Sequence, residues 1–254
     1  MAPIDQTSIM TGTALLVAPF IGSFLATAAL RLPAAQPIVR ARSACPQCGT
    51  QLGPRDLVPL LSWVALRGRC RHCSGAIPRY YPGVELAALA IAVWAATVFS
   101  GGPLLVAAGL GWGLLLVSLI DRRTFWLPDL FTLPLAAAGL MCAALQGGDA
   151  LIASALGAAL GYALLAGVAW FYRRVRRREG LGLGDAKLMA VAGAWVGWQG
   201  LPMVLLAGSI GALAVVAVMA LRRGSLDWQA PLPFGPFLAA GLWLVFLYGQ
   251  PVAL

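Results

Sequence analysis

Charge is scarce in this sequence: Asp, Glu, Lys and Arg make up 11% of its 254 residues, with nine acidic side chains and a single histidine. A water-soluble domain must cover its surface with charge, so one soluble core of this length is excluded. The five cysteines are too few for a disulfide scaffold, and 30 Gly and 17 Pro scattered without period exclude a fibrous repeat. What is abundant is apolar side chain, 60% of the residues, with a mean hydropathy of +0.84. That composition excludes disorder and leaves an all-α, polytopic helical membrane protein as the fold class.

A helix needs roughly 20 apolar residues to cross a hydrocarbon layer of about 30 Å. Such runs are predicted at 9–30, 84–100, 103–120, 130–146, 150–172, 201–221 and 232–249, with a weaker one at 186–199. The charges decide whether the weak run counts. If it does, all eighteen Lys and Arg fall in alternate connections: eight Arg from Arg31 to Arg79, then Arg122 and Arg123, six from Arg173 to Lys187, and Arg222 with Arg223. The other connections, such as Ser100-Gly101-Gly102, carry none. The positive-inside rule then gives about eight transmembrane helices with both termini outside. The net charge of +9 is explained by topology, so nucleic acid is not expected as a partner; the lipid bilayer is. Met1 to Asp5 lacks the basic region of a cleavable signal, so the first span is expected to stay as an anchor. The predicted organisation is a first transmembrane helix (1–30), a polar cytoplasmic loop domain (31–83) and a transmembrane helical domain (84–254).

The loop domain carries Cys45-Pro46-Gln47-Cys48 and Cys70-Arg71-His72-Cys73, separated by 21 residues. Each pair can clamp a metal from a tight turn, and the interval allows two turns to meet around a tetrahedral ion. Disulfides are the alternative, but an Arg-rich loop in the reducing cytoplasm favours thiolates on zinc. His72 sits inside a turn and is expected to point outward, and Cys142 reads as core of an apolar span.

Acids are rare enough to weigh singly. Asp5 and Asp149 read as solvated groups outside, Glu179 and Asp227 as solvated partners of nearby Arg, and Asp56 belongs to the cysteine loop. Asp129 follows Pro128 and reads as a helix-start residue. Glu85, near the start of a span, is either a carboxylate favouring a helix N-terminus or a site residue. Asp121 ends the third span and Asp185 opens the sixth in Gly182-Leu183-Gly184-Asp185, so both fall at the cytoplasmic boundary. Carboxylates at membrane depth are costly and default to function. Two that approach one another share a proton and can act as base and acid in turn. The preceding glycines would let backbone approach an extended peptide, and a Gly-rich helix entry is the alternative reading.

Together these stretches resemble the type IV prepilin peptidases, also called prepilin leader peptidase/N-methyltransferases. The resemblance runs over nearly the whole chain: Gly22-Ser23-Phe24-Leu25, the two CxxC pairs, Pro59-Leu60-Leu61-Ser62-Trp63, Arg79 to Glu85, Asp121 to Asp129, Gly180 to Leu188, and Pro233-Phe234-Gly235-Pro236-Phe237. It implies a GxGD-type aspartic endopeptidase of the bacterial inner membrane that removes the basic leader from prepilins or pseudopilins of type IV pilus and type II secretion systems. Asp121 and Asp185 would be its catalytic pair, with Gly182, Gly184, Lys187 and Glu85 in support. It also implies N-methylation of the new N-terminus with S-adenosylmethionine, and Cys45, Cys48, Cys70 and Cys73 as the zinc loop typical of bifunctional members. Ala26 and Leu57 stand where such members commonly have Asn; both lie in the N-terminal part. A transporter with intramembrane carboxylates, or a zinc-loop scaffold, are the competing classes.

Overall fold

A computed structural model describes residues 6–38, 42–176, 182–223 and 232–249. Asp5, Glu179 and Asp227 lie outside the described residues, as do both chain ends. The long elements are α1 (Gln6–Arg31), α3 (Tyr80–Val98), α4 (Gly102–Thr124), α5 (Asp129–Gln146), α6 (Gly148–Arg176), α7 (Leu183–Arg223) and α8 (Gly235–Tyr248). A short α2 (Leu61–Ala65) and a single 3-10 turn (Pro54–Asp56) lie in the loop domain. Helices are what the apolar runs dictate, since hydrocarbon satisfies no backbone N–H or C=O and each helix closes its own ladder.

Six of the helices are long and apolar enough to cross a membrane, which makes this a multi-pass membrane protein. The last of the six, α7, has 41 residues, about 61 Å at 1.5 Å per residue and twice the hydrocarbon thickness. It is two helices joined at Gly197, whose φ of 67° and ψ of 177° are not helical. The break falls where the weak run 186–199 was expected to end. With α7 taken as two halves and the 14-residue α8 added, the long apolar helical segments among the described residues number eight, in line with the charge pattern.

The chain divides within α4 into two compact units, residues 1–116 and 117–254. In the first, α1 lies against α3 through small residues: Ala18, Ala26, Ala88, Ala92 and Ala95 are fully buried. Contact is tightest at Gly22, where a side chain would collide with the Glu85 backbone, its Cβ falling 2.6 Å from the Glu85 Cα. The Trp112 indole N–H donates to the Ala88 carbonyl at 3.0 Å, tying α4 to α3. In the second unit, α6 and α7 pack backbone to backbone at Gly157 and Gly193. Trp195 of α7 donates to the Leu135 carbonyl of α5 at 2.8 Å. Small residues at crossings are the membrane solution, because helices gain nothing there from burying apolar surface and must gain from close contact.

Candidate active site and metal centre

The second unit holds both boundary aspartates. α4 ends just past Asp121 in Phe125, a left-handed residue (φ 52°) whose amide bonds the Asp121 carbonyl at 2.9 Å. Asp185 is in the first turn of α7, its amide bonded to the Gly182 carbonyl at 3.2 Å. Both carboxylates are buried, 6% and 8% exposed, and near enough for their charges to interact. Among the described residues neither belongs to an ion pair, and Asp121 Oδ2 is buried with no hydrogen-bond partner. A buried carboxylate without a cation is expensive unless a proton neutralises it.

Gly235, the first residue of α8, presses on this pair. A Cβ there would lie 2.5 Å from Asp121 Oδ2 and 2.9 Å from Cγ. The two motif glycines differ in what they do. A Cβ on Gly184 would reach the buried Leu127 at 3.0 Å, whereas Gly182 is exposed, with only the Gly184 amide within 4 Å.

In the first unit the cysteines form two like turns. Cys45 N–H donates to the Thr50 carbonyl and Gly49 N–H returns to the Cys45 carbonyl; Cys70 N–H donates to Gly75 and Ser74 N–H returns to Cys70. Both turns close on a left-handed residue, Gly49 (φ 70°) and Ser74 (φ 58°), and each is flanked by one antiparallel bridge. The four Sγ atoms lie within 4.8 Å of one another, with Cys45 and Cys73 at 3.9 Å. Tetrahedral zinc with bonds of about 2.3 Å places sulfurs roughly 3.8 Å apart, so the cluster fits a metal, and all four thiols are free of disulfides. Thr50, with its hydroxyl 3.3 Å from Cys48 Sγ, pulls that thiol down to about 6, whereas burial and the neighbouring thiols push Cys73 up to about 11. His72 is exposed and outside the cluster, as expected from its place in the turn.

Comparison with known proteins agrees over both units. Residues 16–99 match the model of the bacterial peptidase A24 N-terminal domain and residues 108–218 that of the type IV leader peptidase family. The chain is 47% identical over 222 residues to the prepilin leader peptidase/N-methyltransferase of Burkholderia pseudomallei, covering 87% of this chain and 71% of that one. It is 42% identical over 214 residues to the protein of that name from Aeromonas hydrophila (83% and 73% covered). With that from Pseudomonas aeruginosa it shares 39% over 219 residues (85% and 74% covered). The chain belongs to the type IV leader peptidase family. No solved structure matches it.

Four residues weighed in the sequence have contacts or burial that it did not show. Asp129 does open α5, but its carboxylate also pairs with Lys187 Nζ at 2.6 Å, so it is more than a helix-start residue. Lys187, expected as site support, is the partner in that pair. Glu85 is not at a helix N-terminus: α3 begins at Tyr80, five residues earlier, and the dipole's influence fades within the first turn. It is instead buried in the first unit, where Oε2 accepts the Leu60 amide at 2.8 Å. Cys142, expected as core, is half-buried on α5. Gly235 was visible only as part of a motif; nothing in its neighbours announced contact with Asp121.

Proposed function

We propose that this leader peptidase cleaves the short basic leader from type IV prepilins or pseudopilins at the cytoplasmic face of the bacterial inner membrane, and then methylates the new N-terminal residue. The observation that carries the cleavage reading is the buried, cation-free carboxylate pair Asp121 and Asp185 at the ends of two apolar helices. One carboxylate takes a proton from water as the oxygen attacks the scissile carbonyl, while the protonated partner donates a hydrogen bond to the carbonyl oxygen. The tetrahedral adduct collapses when a proton passes to the departing amine, and the pair ends with one proton as it began. Gly235 brings the α8 backbone so close to Asp121 that a side chain there would collide with its carboxylate, and Gly182 gives the extended substrate room beside Asp185.

Arg122 and Arg123 directly follow Asp121 and are exposed, which supports placing this end of α4 in the cytoplasm and both termini in the periplasm. A prepilin with a basic leader and an apolar helix then presents its cleavage site at the level of the pair. The metal held by Cys45, Cys48, Cys70 and Cys73 would be zinc, closing a loop too small to build its own core and leaving no open position for chemistry. S-adenosylmethionine would supply the methyl group. The cysteine loop and the paired acids together favour this reading over a transporter or an inert scaffold.

The test is cleavage of a synthetic prepilin by purified enzyme in detergent. Asp121→Asn and Asp185→Asn should each lower cleavage by about a hundredfold or more, since Asn keeps the shape but cannot exchange the proton. Normal cleavage by both variants would end the aspartic mechanism.

A further inference from the structure

Within the second unit, the connection between α4 and α5 (residues 125–128) is fastened beside both paired aspartates and exposed in its middle. At its start the Phe125 amide donates to the Asp121 carbonyl at 2.9 Å. Its third residue, Leu127, is buried, and a Cβ on Gly184, next to Asp185, would lie 3.0 Å from the Leu127 side chain. Just past its end, Asp129 pairs with Lys187 at 2.6 Å. The short segment thus bridges the last turn of the helix that carries Asp121 and the first turn of the helix that carries Asp185.

Two large aromatic side chains stand in the open on this bridge: Phe125 is 53% exposed and Trp126 52%. Leu183, which precedes Gly184, is exposed as well. Core packing therefore does not explain them. Phe125 is also held in a conformation that disfavours it. Its φ of 52° is left-handed, the usual place of glycine in a helix cap, and among the described residues of the second unit it is the only non-glycine with positive φ. A ring half in the open recovers little of that strain through burial, and strain of this kind gathers at functional sites.

Charge decides which side of the scissile bond these residues meet. A basic leader calls for acids, yet apart from the pair itself the described carboxylates are committed elsewhere. Asp56 is paired with Arg71 at 2.8 Å and Asp129 with Lys187, Glu85 is buried, and Asp149 lies beyond the far end of α5. Arg122 and Arg123, exposed directly after Asp121, repel a basic leader rather than hold it. The substrate's other half is apolar and begins at the bond to be cut. Recognition falls to that half, and exposed aromatic rings fastened beside the pair are the matching surface.

We propose that Phe125 and Trp126 form the seat for the first residue of the substrate's apolar helix, the one that becomes the new N-terminus, and so select a large apolar side chain there. The proposal rests on the cleavage half of the function above and adds to it the residues that choose the substrate. The seat touches no reacting atom and binds ground state and transition state alike, so it acts on KM and leaves kcat to the aspartates.

The experiment is a kinetic cycle on the purified full chain in detergent, with two synthetic prepilins that differ only in the residue after the scissile bond, leucine or alanine. Trp126→Ala removes one ring. Phe125→Gly removes the other and suits the left-handed backbone, so it threatens the fold least. Leucine adds three carbons to alanine, and half-burying them against the rings accounts for about tenfold in affinity. Wild-type enzyme should therefore show a KM about tenfold lower for the leucine substrate. Each variant should shrink that ratio to about threefold or less through KM rather than kcat, and Trp126→Phe, which keeps a ring, should restore most of it. Equal losses on both substrates would mean that the rings only anchor the protein at the membrane surface, as aromatic belts do, and overturn the proposal. An unchanged ratio in both variants, or a wild-type enzyme that treats the two substrates alike, overturns it while leaving cleavage standing. Wild-type enzyme that cleaves neither substrate overturns the cleavage reading itself, and the seat with it.

Discussion

Replacing Gly235 with alanine adds one methyl group and tests whether the start of α8 sets the active-site geometry. The φ of Gly235 is not positive, so alanine fits the backbone without strain, and alanine is the better helix former. The whole effect must come from contact. Its Cβ would lie 2.5 Å from Asp121 Oδ2 where ordinary contact begins at 3.4 Å, so Asp121 or the start of α8 has to yield about 0.9 Å. A misplacement of about 1 Å in a catalytic group costs roughly a hundredfold in rate, or about 2.7 kcal/mol of barrier. Gly235→Ala should therefore lower kcat for a synthetic prepilin by about that factor while changing KM little. Gly211→Ala is the matched control, since its Cβ would meet the Phe237 ring at an ordinary 3.6 Å and should leave cleavage within threefold of wild type. A Gly235→Ala enzyme as fast as the control would show that the contact does not position Asp121.

Three further outcomes are expected. Wild-type protein should contain about one zinc by elemental analysis, and Cys45→Ser with Cys73→Ser should contain almost none; a disulfide found by mass spectrometry in well-folded protein would refute this. Asp129→Asn should cleave within a few-fold of wild type and lose at most about 1 kcal/mol in a detergent melt, because its pair with Lys187 is largely solvated; an inactive variant would move Asp129 into the catalytic pair. Gly197→Ala should cost about 1–2 kcal/mol by the same melt, because its φ of 67° penalises any Cβ, and an unchanged melt would refute the need for glycine at the break.

The two residue sets proposed to carry the chemistry stood out in the sequence because each breaks a local rule. Asp121 and Asp185 are carboxylates where the sequence otherwise avoids them, and paired CxxC turns have no cheaper explanation in a reducing compartment. What could not be read were groups whose meaning lies in a distant partner. Lys187 and Asp129 sit on different helices, and Gly235 matters only because Asp121 stands behind it. The capping alternative for Glu85 failed for a different reason. Hydropathy marks where hydrocarbon begins, so the span was placed from Val84 onward, whereas the helix starts in the polar, aromatic stretch at Tyr80. That difference of one turn is what separates a capping acid from a buried one inside the helix.

The segment count shows the opposite balance, with charge carrying information that hydropathy lacked. Between Lys187 and Arg222 the sequence is nearly unbroken in apolar character, and by hydropathy alone the 40 residues Leu183–Arg222 form one span. Basic residues at both ends are incompatible with a single crossing under the positive-inside rule, so the run has to be divided. The division falls at Gly197, one glycine among several in the run, and what sets it apart is tertiary. Its neighbour Trp198 and nearby Gly193 lie against Gly157 of α6, close enough that a Cβ on Gly157 would come 2.7 Å from the Trp198 amide. A continuous helix would carry the following turn away from α6; leaving the helical region for one residue lets the backbone be redirected while the packing at Gly193 is kept. The charges thus require a break, and the close crossing with α6 selects the residue that supplies it.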